Sequence, residues 1–282
     1  MRGRGQVVSG LREGVVQLGE QPVWYQEAGQ GPAILLLHAG VADHRMWQHQ
    51  IKALATEYRV VAWDAPGFGK SPLVAGEFSW AQAILGLMDR LLIDQAVLVG
   101  CSMMGAASIR ATLRAPGRVR SLVLVGSAVH GFQSDLPEPD IYAECEAAEK
   151  AGDMERLIEL EAQVWLAGLN RPLTAVSGGL LSLYREMNRD IVGAWHPDAV
   201  PTDSRSSDLD RLVDISVPTL IVIGDEDTPE IEAQATLLAE RVPGAQRVTI
   251  ANTAHLPPLE RPVAFNEILL EWLETLPAQG RP

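Results

Sequence analysis

Cysteine is nearly absent from this chain: 282 residues carry two, Cys101 and Cys145. Two thiols make no disulfide framework, and no Cys/His spacing matches a zinc site. Both read as buried or partly buried thiols. No apolar run is long enough to span a bilayer. The opening residues, Met1-Arg2-Gly3-Arg4-Gly5-Gln6, are basic but carry no apolar stretch of the signal-peptide kind. Positive charge is scarce, with 23 Lys and Arg against 36 Asp and Glu, a formal net charge of −13. A pI near 4.9 argues against nucleic acid or an anionic membrane surface as a partner and fits a soluble cytoplasmic protein. Internal repeats and low-complexity segments are also missing.

What is present is apolar and ordered. Hydrophobic residues make up 47% of the chain, too many for a disordered one. The length allows one large domain, or a domain with an insertion. Residues 14–27 read as an antiparallel hairpin, and buried strands are predicted near 33–38, 58–63, 96–101, 119–126, 218–223 and 246–250. Helical patterns fall between them near 46–56, 79–93, 103–115, 229–241 and 263–275. Such alternation predicts a mostly parallel sheet with helices on both faces. From 130 to 208 the alternation stops: no convincing strand is read there, only helical stretches over 139–150, 154–169 and 175–190.

The chemistry concentrates at strand ends. Ala96-Val97-Leu98-Val99-Gly100-Cys101 reads as a buried strand, and a helix begins straight after Ser102. A strand-turn-helix of this kind raises a serine hydroxyl on a strained turn to act as a nucleophile. The usual pattern, Gly-x-Ser-x-Gly, would place glycine where Met104 stands, one residue before Gly105. Serine needs a base, and the base needs an orienting group. His255 follows the strand over 246–250, and Asp225, Glu226 and Asp227 follow the strand over 218–223. All lie past the carboxyl ends of predicted strands, the edge where open α/β sheets build their sites. Ser102 also suits a helix N-cap and His255 a surface histidine; their joint placement favours the chemical reading.

Over nearly its whole length the chain resembles the α/β-hydrolases. Ile34-Leu35-Leu36-Leu37-His38-Ala39-Gly40 is similar to their oxyanion turn, and Asp64-Ala65-Pro66-Gly67-Phe68-Gly69-Lys70-Ser71 to their Asp-x-Pro-Gly-x-Gly-x-Ser loop. Gly224-x-x-Asp227 resembles the acid loop, and Ala254-His255 with Leu259-Glu260-Arg261-Pro262 the histidine loop. Asp43-x-Arg45-Met46-Trp47-x-x-Gln50 looks like the matching stretch of 3-oxoadipate enol-lactonases. Ala39 and Ala254 stand where glycine is commoner.

The resemblance implies an eight-stranded, mostly parallel α/β-hydrolase core over 1–129 and 209–282. A helical cap over 130–208 is inserted after the sixth strand. It selects Asp227 over Asp225 as the orienting acid, and implies a Ser102–His255–Asp227 triad. The backbone N–H groups of Gly40 and Met103 are the implied oxyanion hole. His38 and Asp64 read as structural. Arg45, Trp47, Met104 and Trp165 are candidate substrate contacts, and Phe132, Tyr142, Tyr184, Met187 and Trp195 further pocket candidates. No cofactor or metal is implied, and the expected partner is a small ester or lactone cleaved through an acyl-enzyme. Two alternatives stand beside it. One is carbon–carbon hydrolysis of the meta-cleavage type, whose enzymes typically carry tryptophan after the histidine where this chain has Leu256-Pro257-Pro258-Leu259. The other is a non-enzymatic ligand-binding relative, favoured only by Met104.

Overall fold

In the computed structural model of the chain, residues 10–191 and 196–277 are described. Ten strands occur among them: β1 (Arg12–Leu18), β2 (Gln21–Ala28), β3 (Ala33–Leu37), β4 (Arg59–Trp63), β5 (Gly76–Phe78), β6 (Ala96–Cys101), β7 (Val119–Val125), β8 (Ala199–Pro201), β9 (Thr219–Gly224) and β10 (Gln246–Ile250). Eight form one sheet in the order β1-β2-β4-β3-β6-β7-β9-β10. Pairing is antiparallel only at β1·β2 and β2·β4, and parallel elsewhere. The opening hairpin and the parallel remainder are therefore as the apolar runs predict. Strands β3, β6 and β9 are buried along their whole length, as strands covered on both faces must be.

Helices α1 (Gln48–Leu54), α2 (Trp80–Arg90), α3 (Met103–Arg114), α4 (Asp140–Ala151), α5 (Met154–Ala162), α6 (Gly178–Ile191), α7 (Pro229–Arg241), α8 (Pro257–Glu260) and α9 (Pro262–Thr275) complete the described elements. Two apolar clusters lie on opposite faces of the sheet. Leu35, Leu37, Leu98, Leu122 and Ile221 join one with α2 and α3, and Ile34, Leu36, Val97, Val99, Val123 and Val222 join the other with α9. Adjacent residues of one strand fall in different clusters, which is the period-2 alternation of a pleated strand.

Chain order sets where a site can form. After β3 the chain moves outward to β4, then returns to place β6 on the other side of β3. The loops leaving β3 and β6 diverge there, at the switch point beyond whose carboxyl ends open α/β sheets build their sites. Between β7 and β9 come α4, α5 and α6, as the helical spacing predicts. One expectation for this segment is corrected: it holds a strand, β8, paired in parallel with β5. At three residues each, these strands are too short for alternation to register.

Candidate active site

Ser102 occupies the turn between β6 and α3 with φ 56° and ψ −120°. A side chain in that region is strained by about 1–3 kcal/mol, and such strain persists where the surroundings enforce it. Here they do. The Ser102 N–H donates to Val125 O at 2.9 Å, while its carbonyl accepts from Gly105 N at 2.9 Å and Ala128 N at 3.2 Å. Although Ser102 sits at the N-cap position, its hydroxyl makes no capping bond, so the plain capping role does not account for it.

His255 and Asp227 meet close to this turn, where Cys101 Sγ lies 3.9 Å from the His255 carbonyl. His255 Nδ1 donates to Asp227 Oδ2 at 2.9 Å and lies 3.1 Å from Oδ1. Both side chains are almost fully buried. The bond fixes the tautomer and leaves Nε2 as the ring's acceptor. Asp227 Oδ1 also accepts from Thr228 N at 2.8 Å. Asp225 is exposed, and among the described residues its carboxylate meets only the Thr253 N–H, at 3.3 Å. The two aspartates that chemistry alone leaves open thus differ sharply in placement.

The sheet explains a residue that sequence reading passes over. β10 lies three strands from β6, so the chain carrying His255 must return across the ends of β9 and β7. The residue at the end of β7 is Gly126, with φ 48°. A Cβ there would lie 3.0 Å from His255 Nδ1 and 3.2 Å from Asp227 Oδ2. The imidazole–carboxylate pair therefore rests directly on a glycine.

Gly40 lies on the loop that leaves β3. Its α-carbon region abuts Met103, with a hypothetical Cβ 3.7 Å from Met103 Cε. Among the described residues, neither the Gly40 N–H nor the Met103 N–H donates to a protein acceptor. Met103 opens α3, so its N–H is one of the free donors at a helix start, where the dipole favours negative charge. His38 braces this loop. Its Nδ1 donates to Ala39 O at 2.8 Å, Nε2 accepts from Ala65 N at 2.9 Å, and burial lowers its pKa, keeping it neutral. Asp64 accepts from the His44 amide and ring and from the Lys70 amide.

Asp43, His44 and Asp64 are the only described side chains close enough together to suggest a metal. Their carboxylates are already taken by Arg45, by His44 and by backbone amides, so the cluster is a hydrogen-bond node. No helix among the described residues is long and apolar enough to cross a membrane.

The candidate substrate contacts separate by burial. Trp165 packs on His255 with ring centroids 4.7 Å apart, and its carbonyl accepts from His255 N at 3.2 Å. It also lines a cavity of about 350 Å³ with Tyr142, Glu149 and Glu161. Burial and the nearby Glu149 raise the Glu161 carboxyl to about 7. Arg45 pairs with Asp43 and with Asp190 of α6. Trp47 and Met104 are fully buried, Trp47 in the cluster with α9 and Met104 in the cluster that α2 and its own helix α3 share. Tyr184 and Met187 are likewise core residues, while Phe132 and Tyr142 are half-buried. Trp195 lies outside the described residues. Cys101 is buried and Cys145 half-buried.

Residues 32–262 match the alpha/beta hydrolase fold family. The chain belongs to that family. Its relatives include a pimeloyl-[acyl-carrier protein] methyl ester esterase of Aeromonas hydrophila, 30% identical over 86% of this chain and 95% of the relative. The 3-oxoadipate enol-lactonase 1 of Acinetobacter baylyi is 24% identical over 87% and 90% of the two chains. A 2-hydroxy-6-oxo-6-phenylhexa-2,4-dienoate hydrolase of Burkholderia cepacia is 28% identical over 88% and 89%. All three are hydrolases, and they span ester, lactone and carbon–carbon chemistry.

Proposed function

We propose that the protein is a serine hydrolase of small carboxylic esters or lactones, acting through an acyl-enzyme. Ser102 is the nucleophile, His255 the base and Asp227 its orienting acid. The observation that carries this reading is the buried His255 Nδ1–Asp227 Oδ2 bond of 2.9 Å beside a strained, uncapped serine at the sheet's switch point. Nε2 takes the Ser102 proton as the hydroxyl attacks the carbonyl carbon. The charge forming on the carbonyl oxygen is received by the Gly40 and Met103 N–H groups, which donate to no acceptor among the described residues. Collapse expels the alkoxide, which takes the proton back from His255. Water, deprotonated by the same nitrogen, then releases the acid and restores Ser102.

Residues 130–208 act as the cap in this reading. Trp165, packed on the imidazole, shields it from water on one side. The similarity to a methyl ester esterase, the highest in identity of the three relatives, favours an ester over a lactone. Carbon–carbon hydrolysis is a second reading, supported by the Burkholderia cepacia relative. The test is turnover of p-nitrophenyl esters, an enol-lactone panel and a meta-cleavage product by wild type and Ser102→Ala. Serine-dependent ester or lactone turnover upholds the proposal. Turnover of the meta-cleavage product alone transfers the site to the second reading.

A further inference from the structure

Three consecutive amides of the histidine loop are held, and none of them by β-sheet pairing. Ala254 N donates to Glu260 at 2.8 Å, His255 N to Trp165 O at 3.2 Å, and Leu256 N to Glu260 at 3.3 Å. One carboxylate therefore grips the chain on both sides of His255, and a helical-segment carbonyl holds the residue itself. The two holds are joined by a single guanidinium. Arg171 Nη2 donates to Glu260 Oε2 at 3.0 Å, and Nε donates to Ala167 O at 2.7 Å. Its Nη1 donates to Asn252 O, in the same loop, at 2.8 Å. The Ala167 carbonyl belongs to the π-helical turn over Gln163–Ala167 that carries Trp165.

The pair is largely buried, Glu260 6% and Arg171 20% exposed at the side chain. Burial pushes Glu260 up, to about 7, against the pull of Arg171 and of the two amides. Removing one member of such a pair leaves the other desolvated without compensation. Its geometry is also specific: a planar fork spans the Ala167, Asn252 and Leu166 carbonyls and a carboxylate, which an ammonium cannot reproduce.

We propose that Arg171 and Glu260 are a positioning pair that couples the helical segment to the imidazole of His255. The helical segment then completes the placement of the base. This inference rests on the proposed function for its kinetic consequence and on geometry alone for its structural one. The two are tested separately. In Arg171→Ala, hydrogen exchange at the Ala254, His255 and Leu256 amides is expected to rise at least tenfold, with β10 amides unchanged. This readout needs no substrate. Kinetically, kcat for p-nitrophenyl acetate is expected to fall about 10- to 100-fold with KM within about twofold, since angstrom-scale misplacement of a reacting group costs on the order of 100-fold. Millimolar guanidinium is expected to restore several-fold, and Arg171→Lys not to.

Glu260→Gln, which keeps one acceptor for the amides, is expected to fall between wild type and Arg171→Ala in both readouts. It serves as the test if Arg171→Ala does not fold. Unchanged exchange at the three amides in the variant that folds overturns the proposal. So does a loss of kcat that guanidinium does not restore in Arg171→Ala. Changed exchange in a protein whose wild type turns over no substrate upholds the coupling and rejects the hydrolase reading.

Discussion

Gly126 offers a sharp test of the site's geometry, because its replacement by alanine perturbs the imidazole–carboxylate pair from beneath. Two effects separate cleanly. The first is backbone strain: at φ 48° an L-residue pays about 1–2 kcal/mol relative to glycine. The second is contact. A methyl group 3.0 Å from His255 Nδ1 and 3.2 Å from Asp227 Oδ2 must push the pair by a few tenths of an ångström. His255 has little room to yield, being nearly buried with Trp165 against its ring. If a 1 Å misplacement costs on the order of 100-fold, a shift of this size costs about fivefold to tenfold in kcat. Gly152→Ala is the matched control: φ is 70° there, and a Cβ meets nothing within 4 Å. It is expected to lose similar stability in urea and no activity. The assay is kcat and KM on p-nitrophenyl acetate, with urea midpoints for both variants. Equal kcat in Gly126→Ala and Gly152→Ala would refute the placement of the pair over β7.

Asp227→Asn is expected to lower kcat by about 10³- to 10⁴-fold through the wrong imidazole tautomer, and Asp225→Asn by less than about threefold, measured on the same ester. Glu161 tests a linkage. Its folded pKa of about 7 lies above the unfolded 4.5, so the folded state keeps a proton the unfolded state has lost, and stability falls as pH rises from 4.5 to 7. Allowing for solvent screening of a half-buried group, Glu161→Gln is expected to be more stable than wild type by about 1–2 kcal/mol at pH 8 and equal to it at pH 4. Urea unfolding at the two pH values checks this, and a difference of the opposite sign contradicts it. Met104→Ala, emptying a fully buried site, is expected to cost about 2–5 kcal/mol in urea unfolding.

Much of the fold was legible because burial leaves its mark on the sequence. Strands β3, β6, β7 and β9 are apolar runs bounded by turn residues, and the expected limits fall within about a residue or two of those observed. Ser102 and His255 stand out as candidates because each follows a predicted strand, whereas that placement leaves Asp225, Glu226 and Asp227 open and only the family resemblance selects Asp227. What escaped is set by distance along the chain. β5 and β8 pair across more than a hundred residues with only three each. Gly126 looks like any strand-ending glycine until β10 is known to lie two strands beyond β7. Arg171 reads as part of a helix break, and only the return of the histidine loop gives it Asn252 and Glu260 as partners. Met104 carries the opposite lesson. It departs from the usual motif, which has glycine there, yet its side chain points from the first turn of α3 into the core shared with α2 and the sheet.

Covalent capture reads most plainly whether the Ser102 hydroxyl is a nucleophile activated by His255. A fluorophosphonate incubated with wild type, His255→Ala and Ser102→Ala, followed by intact mass and peptide mapping, reads the result. The expected outcome is one adduct on the peptide containing Ser102 in wild type, labelling at least about 100-fold slower in His255→Ala, and none in Ser102→Ala. An active wild-type preparation that stays unlabelled at Ser102, or equal labelling rates in wild type and His255→Ala, would rule out a Ser102 nucleophile activated by His255.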